Sequence, residues 1–222
     1  MTLLVLVPGT SSATTILDFS LGSTPLTVTH TGGPSHLTTM DTLSPYAVTI
    51  TNGAASGMNG AAYLFLVGVQ STNIPDAMAQ TQDGFAGTFI FSKSNMLGNA
   101  TLGLNLILQV DVINAVLGLS GSSGNFYASN GPGQGLTLNS AYAIFSGNQT
   151  FTMEFSGIIP PTIFTDPDTS FPSPINLEAT GGATAGLVVP VPEPSTFAAA
   201  GLGILISVRA LRKRRHKLVR TS

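Results

Sequence analysis

The feature that most restricts the fold of this 222-residue chain is a stretch in which apolar side chains recur at every second position. The recurring residues are Leu102, Leu104, Leu106, Leu108, Val110 and Val112. Between them lie Gly103, Asn105, Gln109 and Asp111, with Ile107 and Ile113 as apolar exceptions. Because successive side chains of a strand point to opposite faces, this period predicts a long β-strand with its leucine side buried.

The same alternation appears in shorter stretches before and after this one. It is clear at Val48–Ile50, Phe89–Phe91 and Phe151–Phe155, and Tyr63–Val69 is a continuous apolar run suited to a central strand. Glycine, asparagine, serine and proline cluster between these stretches, as turns require. We therefore predict an all-β body over residues 14–179, an antiparallel β-sandwich or jelly roll.

Charge is distributed very unevenly along the chain. Residues 1–208 hold all ten acidic residues and a single cation, Lys93, for a net charge of −9. Residues 209–222 hold seven cations and no acid, for a net charge of +7. An acidic body and a basic tail indicate two different environments. The chain has no cysteine, so disulfide bonds cannot stabilise it.

The segment before the basic tail is free of charge and predominantly apolar. Residues 195–208 read STFAAAGLGILISV, which predicts a helix without a polar face. The adjoining cations would stay on the cytoplasmic side of a membrane, so we predict one C-terminal transmembrane helix with the body outside. At this length a buried C-terminal helix of a soluble domain is the alternative. Residues 180–191, rich in Gly, Ala, Val and Pro, are predicted to be a linker.

The order of these C-terminal elements carries a family resemblance. The motif residues are Val191, Pro192, Glu193, Pro194, Ser195 and Thr196. The basic stop-transfer cluster comprises Arg209, Arg212, Lys213, Arg214, Arg215 and Lys217. With the apolar helix between them, residues 192–217 resemble the PEP-CTERM sorting domain.

The resemblance implies a bacterial exported protein whose partner is exosortase, a membrane-embedded cysteine peptidase that recognises the tripeptide Pro192 to Pro194. It further implies a transient stay in the inner membrane, and then the cell surface or the extracellular space. Residues 1–13 fit this expectation as a partial signal peptide, with an apolar run at Leu3–Val7 and small residues before Ala13.

Candidate sites in the body are few. His30 and His36 lie in a loop-like stretch and are predicted to be ordinary surface residues, while His216 belongs to the basic tail. Asp166 and Asp168 flank Pro167 in a turn, for which calcium binding is the alternative to a plain proline-rich turn. No catalytic residue, metal site, cofactor or nucleic-acid partner is predicted.

These observations predict a non-enzymatic surface or extracellular-matrix protein. A carbohydrate-binding module acting on exported polysaccharide is the first alternative, although exposed aromatic residues, which such sites use, are few in a chain without tryptophan. A surface-anchored enzyme of unknown type is the second alternative.

Overall fold

The computed structural model describes residues 14–22, 24–40, 44–171 and 174–190, which form eleven strands. The strands are β1 Thr14–Leu21, β2 Leu26–Thr31, β3 Leu37–Thr39, β4 Tyr46–Gly53, β5 Gly60–Ser71, β6 Thr81–Ser92, β7 Leu106–Ser120, β8 Ser123–Ser129, β9 Gly135–Asn139, β10 Ala143–Ile159 and β11 Ile175–Pro190. One short helix, α1 Leu97–Ala100, and three 3₁₀ turns, Gly33–Ser35, Ser56–Met58 and Gly103–Asn105, complete the described elements. The prediction of an all-β antiparallel body is confirmed.

Every described strand belongs to a single hydrogen-bonded sheet. Its pairings run β1, β4, β5, β6, β7, β8, β10, β11 and back to β1, so they form a closed circuit. Strands β3 and β2 form a second connection from β5 to β11, and β9 pairs with β7. The described strands therefore form one continuous sheet, in which β1 pairs with β4 on one side and with β11 on the other.

The inward side of this circuit holds the main core, which is rich in phenylalanine. Ring centroids of Phe19 and Phe91 are 4.8 Å apart, those of Phe89 and Phe151 are 4.9 Å apart, and those of Phe89 and Phe126 are 5.3 Å apart. These rings come from four different strands and pack in tilted geometries that aromatic pairs favour. The alternating phenylalanines thus account for much of the packing between opposite sides of the circuit.

The alternation at residues 102–112 is confirmed in its second half and wrong in its first. Leu108 and Val110 are fully buried in β7, whereas Leu102 and Leu104 precede the strand and are 59% and 41% exposed. Gly103 has a φ of +51°, a left-handed conformation that an extended strand does not contain. The glycine therefore ends the regular alternation and places a 3₁₀ turn where the sequence predicted strand.

Residues 180–190 correct another prediction, because they form part of β11 and not a linker. Gly182 pairs with Asp18 of β1 and with Thr152 of β10. A Cβ at Gly182 would lie 2.6 Å from Asp18 Oδ1 and 2.7 Å from the Leu17 carbonyl oxygen. A glycine-rich composition here allows close strand packing, and the body extends to Pro190.

None of the helices among the described residues is long and apolar enough to cross a membrane. The predicted signal peptide at residues 1–13, the predicted transmembrane helix at 195–208 and residue 191 of the predicted linker lie outside the described residues.

Candidate functional site

A polar cluster forms where the segment connecting β10 to β11, residues 160–171, packs against β2. Thr162 exchanges two backbone hydrogen bonds with Gly121, at 2.8 and 3.1 Å. The Phe164 N–H donates to Gln80 Oε1 at 2.9 Å, and Gln80 Nε2 donates to the Phe164 carbonyl at 2.8 Å. The Phe171 N–H donates to the His30 carbonyl at 3.1 Å. The segment is therefore held at three places along its length.

Asp168 is the central residue of this cluster. Its Oδ1 lies 2.7 Å from His30 Nε2, and its Oδ2 lies 2.5 Å from His36 Nδ1. The His30 side chain is fully buried, whereas the side chains of Asp168 and His36 are 8% and 21% exposed. The His30 ring also packs against Phe164 and Phe171, with centroids 5.6 and 4.9 Å away.

Two further buried side chains extend the cluster inward. Thr38 Oγ1 lies 2.6 Å from His30 Nδ1 and donates a short hydrogen bond to Gln82 Oε1. Gln82 Nε2 donates to the carbonyl oxygens of His36 and Asn73, each at 2.7 Å. We call His30, His36, Thr38, Gln82 and Asp168 the Asp168 cluster.

Two opposing effects set the pKa of the Asp168 carboxyl. Burial raises the pKa, but hydrogen bonds from His36 and His30, together with their positive charge, outweigh burial. The pKa therefore lies below its ordinary value of 3.8. Asp168 is accordingly ionised at neutral pH and accepts hydrogen bonds from both histidines.

Thr38, His30 and Asp168 lie in the order of a hydroxyl nucleophile, a base and an orienting carboxylate. The Thr38 side chain has no access to substrate, however, because the residue is fully buried and its proton is directed at Gln82. Among the described residues, no group of three or more His, Cys, Asp or Glu side chains is arranged so that it could hold a metal ion. The geometry of the cluster is that of a cross-link between segments.

Asp168 also bears on the calcium alternative for the turn at 166–168. Both of its carboxylate oxygens contact ring nitrogens. The Thr165 hydroxyl donates to the Pro167 carbonyl and lies 2.7 Å from the Thr169 hydroxyl. Asp166 is exposed and stands outside the cluster. The turn thus joins Asp168 to the histidines and does not assemble an oxygen cage.

The sequence prediction for His30 is wrong, since this residue is buried and not on the surface. His30 and Asp168 are 138 residues apart, so spacing along the chain gave no indication of their contact. One local signal was available. In β2, Leu26 and Val28 alternate inward, and His30 occupies the next inward position. A polar residue on the apolar face of a strand indicates a buried partner.

The predicted sorting motif Val191 to Thr196 and the basic cluster Arg209 to Lys217 lie outside the described residues. The comparison with protein families matches residues 190–215 to the PEP-CTERM protein-sorting motif. Comparisons with curated proteins and with solved structures find no match to this chain. The chain carries a PEP-CTERM protein-sorting motif, which implies exosortase as its processing partner and export toward the cell surface or the extracellular space.

Proposed function

We propose that this chain is a non-enzymatic structural protein of the bacterial cell surface or extracellular matrix, sorted through its C-terminal motif. The observation that carries the proposal is the match at residues 190–215. We propose that the part delivered is the all-β body, arranged as an antiparallel β-sandwich or jelly roll. The polar cluster around Asp168 supports a structural role, because its side chains bond to one another.

Each part of the C-terminal signal performs a separate physical step in this proposal. Pro192 and Pro194 keep the backbone around Glu193 extended and out of the helix, where an exosortase can bind it. The helix at 195–208 holds the chain transiently in the inner membrane. The cations from Arg209 to Lys217 stop export, because moving several charges through hydrocarbon costs a few kcal/mol each.

The position of the motif relative to the body supports this division of roles. Strand β11 ends at Pro190, and the matched region begins at the same residue. No spacer in the sequence separates the delivered strand from the sorting signal. We therefore propose that processing near the motif releases a body that retains all eleven described strands.

Sorting can be tested by comparing variants in a host that carries a matching exosortase. Replacement of Pro192, Glu193 and Pro194 by alanine should leave a full-length chain in the membrane, because the recognition segment is lost. Removal of residues 209–217 should give an exported chain that is not sorted. Glu193→Gln is the matched control that separates the charge from the extended backbone. Fractionation and immunoblotting report the outcome, and normal surface display of the alanine variant would contradict the proposal.

A groove on the body favours carbohydrate binding as a second candidate function. The groove has a volume of about 620 Å³ and is lined by polar side chains that include Gln80, Thr81, Ser120, Asn125 and Glu154. Amides, hydroxyls and a carboxylate are the groups that bind sugar hydroxyls.

If the groove binds exported polysaccharide, Glu154→Gln should reduce retention of the protein on that polysaccharide. Glu178 does not line this groove, so Glu178→Gln should not reduce retention. Equal retention of the two variants would exclude this groove as the site.

A further inference from the structure

The hydrogen-bond directions in the Asp168 cluster determine where its protons lie. Gln82 Nε2 contacts two backbone carbonyl oxygens, of His36 and Asn73, and carbonyl oxygens only accept. The amide nitrogen of Gln82 must therefore occupy that position, and Oε1 must face Thr38. Because Oε1 cannot donate, the Thr38 hydroxyl proton is directed at Gln82.

The position of that proton determines the state of the first ring nitrogen of His30. The only proton of the Thr38 hydroxyl is used in its hydrogen bond to Gln82. Thr38 Oγ1 can therefore only accept a hydrogen bond from His30 Nδ1, which lies 2.6 Å away. Nδ1 must therefore carry a proton. At the other end of the ring, Nε2 faces the Asp168 carboxylate at 2.7 Å. An ionised carboxylate only accepts, so Nε2 must carry a proton as well.

We infer that His30 is held as an imidazolium ion, and that the Asp168 cluster is a proton-dependent cross-link between β2 and segment 160–171. The doubly protonated ring is the one state of His30 that satisfies Thr38, Gln82 and Asp168 together. This goes beyond the sorting function, since it concerns how the delivered body responds to the pH outside the cytoplasm.

The charges around the cluster are consistent with a buried cation. Asp168 and His36 are the ionisable side chains that bond within the cluster, and Asp76 and Asp166 line a groove beside Asp168. Lys93, the sole Lys or Arg in residues 1–208, is engaged elsewhere, with its Nζ 5.0 Å from the centroid of the Tyr142 ring. The imidazolium therefore supplies the positive charge that Asp168 needs in a body of net negative charge.

Loss of the second proton must break one buried interaction. If His30 keeps its proton on Nε2, two acceptors face each other at Nδ1 and Thr38 Oγ1. If Thr38 rotates to donate to Nδ1, Gln82 Oε1 loses its donor and stays buried. If the proton stays on Nδ1, Nε2 faces the carboxylate with no proton between them. An unsatisfied buried polar group is destabilising in each case. The stability that the cross-link confers is therefore present while the proton is bound and is lost as the pH rises and the proton leaves.

The charge state of His30 can be measured directly on the full chain in detergent micelles, labelled with ¹⁵N in its three histidines. His36→Gln and His216→Gln assign the signals by elimination. We expect both ring nitrogens of His30 to show an attached proton at neutral pH. Detection of one unprotonated ring nitrogen in His30 at neutral pH in the folded protein would overturn the inference.

Hydrogen exchange provides a second readout that needs no variant. The Phe164 amide bonds to Gln80, and the Phe171 amide bonds to the His30 carbonyl. After correction for the intrinsic pH dependence, their protection should fall at the pH at which His30 loses its second proton. Unchanged protection across that titration would show that the cluster does not hold the segment.

Thr38→Val removes the acceptor of the Nδ1 proton with little change in shape. Nδ1 then has no acceptor for its proton, so we expect the doubly protonated fraction of His30 at neutral pH to fall, which the ¹⁵N spectrum measures. Thr150→Val is the matched control, because its hydroxyl bonds to Thr184 at 2.7 Å and takes no part in the cluster. An equal effect of both variants on the His30 titration would contradict the proposal.

Discussion

Asp168 is the residue that joins segment 160–171 to two other parts of the chain. One carboxylate oxygen bonds to His30 in β2 and the other to His36, just before β3. His36 adopts a left-handed conformation with φ of +43°, which non-glycine residues seldom adopt. The hydrogen bond to Asp168 helps to hold His36 in this left-handed conformation.

We expect Asp168→Asn to destabilise the protein by about 3 kcal/mol at pH 7, because it removes one partner of a buried ion pair.

The free energy of unfolding of the wild-type protein should also fall in acid. The pKa of Asp168 is lower in the folded than in the unfolded chain, so its contribution is present above pH 3.8 and is lost as the pH falls through the folded value. Denaturant titrations at several pH values measure both effects.

Asp166→Asn is the control for this prediction, because Asp166 is exposed two residues away in the same turn. Asp166→Asn should change the free energy of unfolding little, both at pH 7 and in acid. A similar loss in both variants would show that the turn, and not the ion pair, is responsible.

This cluster marks the limit of sequence-based prediction at the residue scale. Residues that meet across 132 to 138 positions share no local pattern. The inward position of His30 in β2 indicates that it has a buried partner, but it does not indicate which residue that partner is. The sorting motif was predictable because all its parts are adjacent in sequence and their order is specific. A motif of adjacent residues can be predicted from one sequence, whereas a contact between distant residues cannot.

Strand β7 shows the same distinction at the scale of an element. The alternation of Leu108, Val110 and Val112 predicted which face is buried, because period two follows from strand geometry. Its start was predicted four residues too early, since the left-handed Gly103 was treated as an ordinary outward residue. The linker prediction failed for a related reason, because glycine-rich composition describes both flexible chain and closely packed strands.

We expect a charge on the inward face of β7 to be far more costly than one on its outward face. Val110→Lys buries an ammonium group at a fully buried position and should cost several kcal/mol. Ile113→Lys, at a position in the same strand that is 65% exposed, should be nearly neutral. Denaturant unfolding of the two variants compares the costs, and equal costs would mean that the assigned faces are wrong.

At the scale of the whole body, the first and last described strands pair with each other. Thr14 of β1 lies opposite Ala185 of β11, and the register continues to Ser20 and Thr180. The closed circuit therefore depends on contacts between the first and the last described strands. This part of the topology was not predicted, because strand periodicity gives the face of each strand but not its partners.

Gly182→Ala tests how closely β1 and β11 must approach. The added Cβ would lie within 2.7 Å of Asp18 Oδ1 and of the Leu17 carbonyl, so backbone must shift. We expect a loss of about 1–3 kcal/mol, the usual cost of overpacking. Gly98→Ala is the control, since a Cβ there has no neighbouring heavy atom within 4 Å. Thermal unfolding measures both variants, and an unaffected Gly182→Ala protein would show that the pairing tolerates a wider separation.

The pairing of β1 with β11 also determines when the body can finish folding during export. A chain that crosses the membrane from its N-terminus delivers β1 first and β11 last, and the partners Thr14 and Ala185 are 171 positions apart. Until then β1 has an unpaired edge, which is open to contact with other exported chains. Contacts between such distant residues form slowly. The sorting motif follows β11 directly. In the sorting route that we propose, arrest at the membrane would therefore give the last strand time to pair before the chain is released.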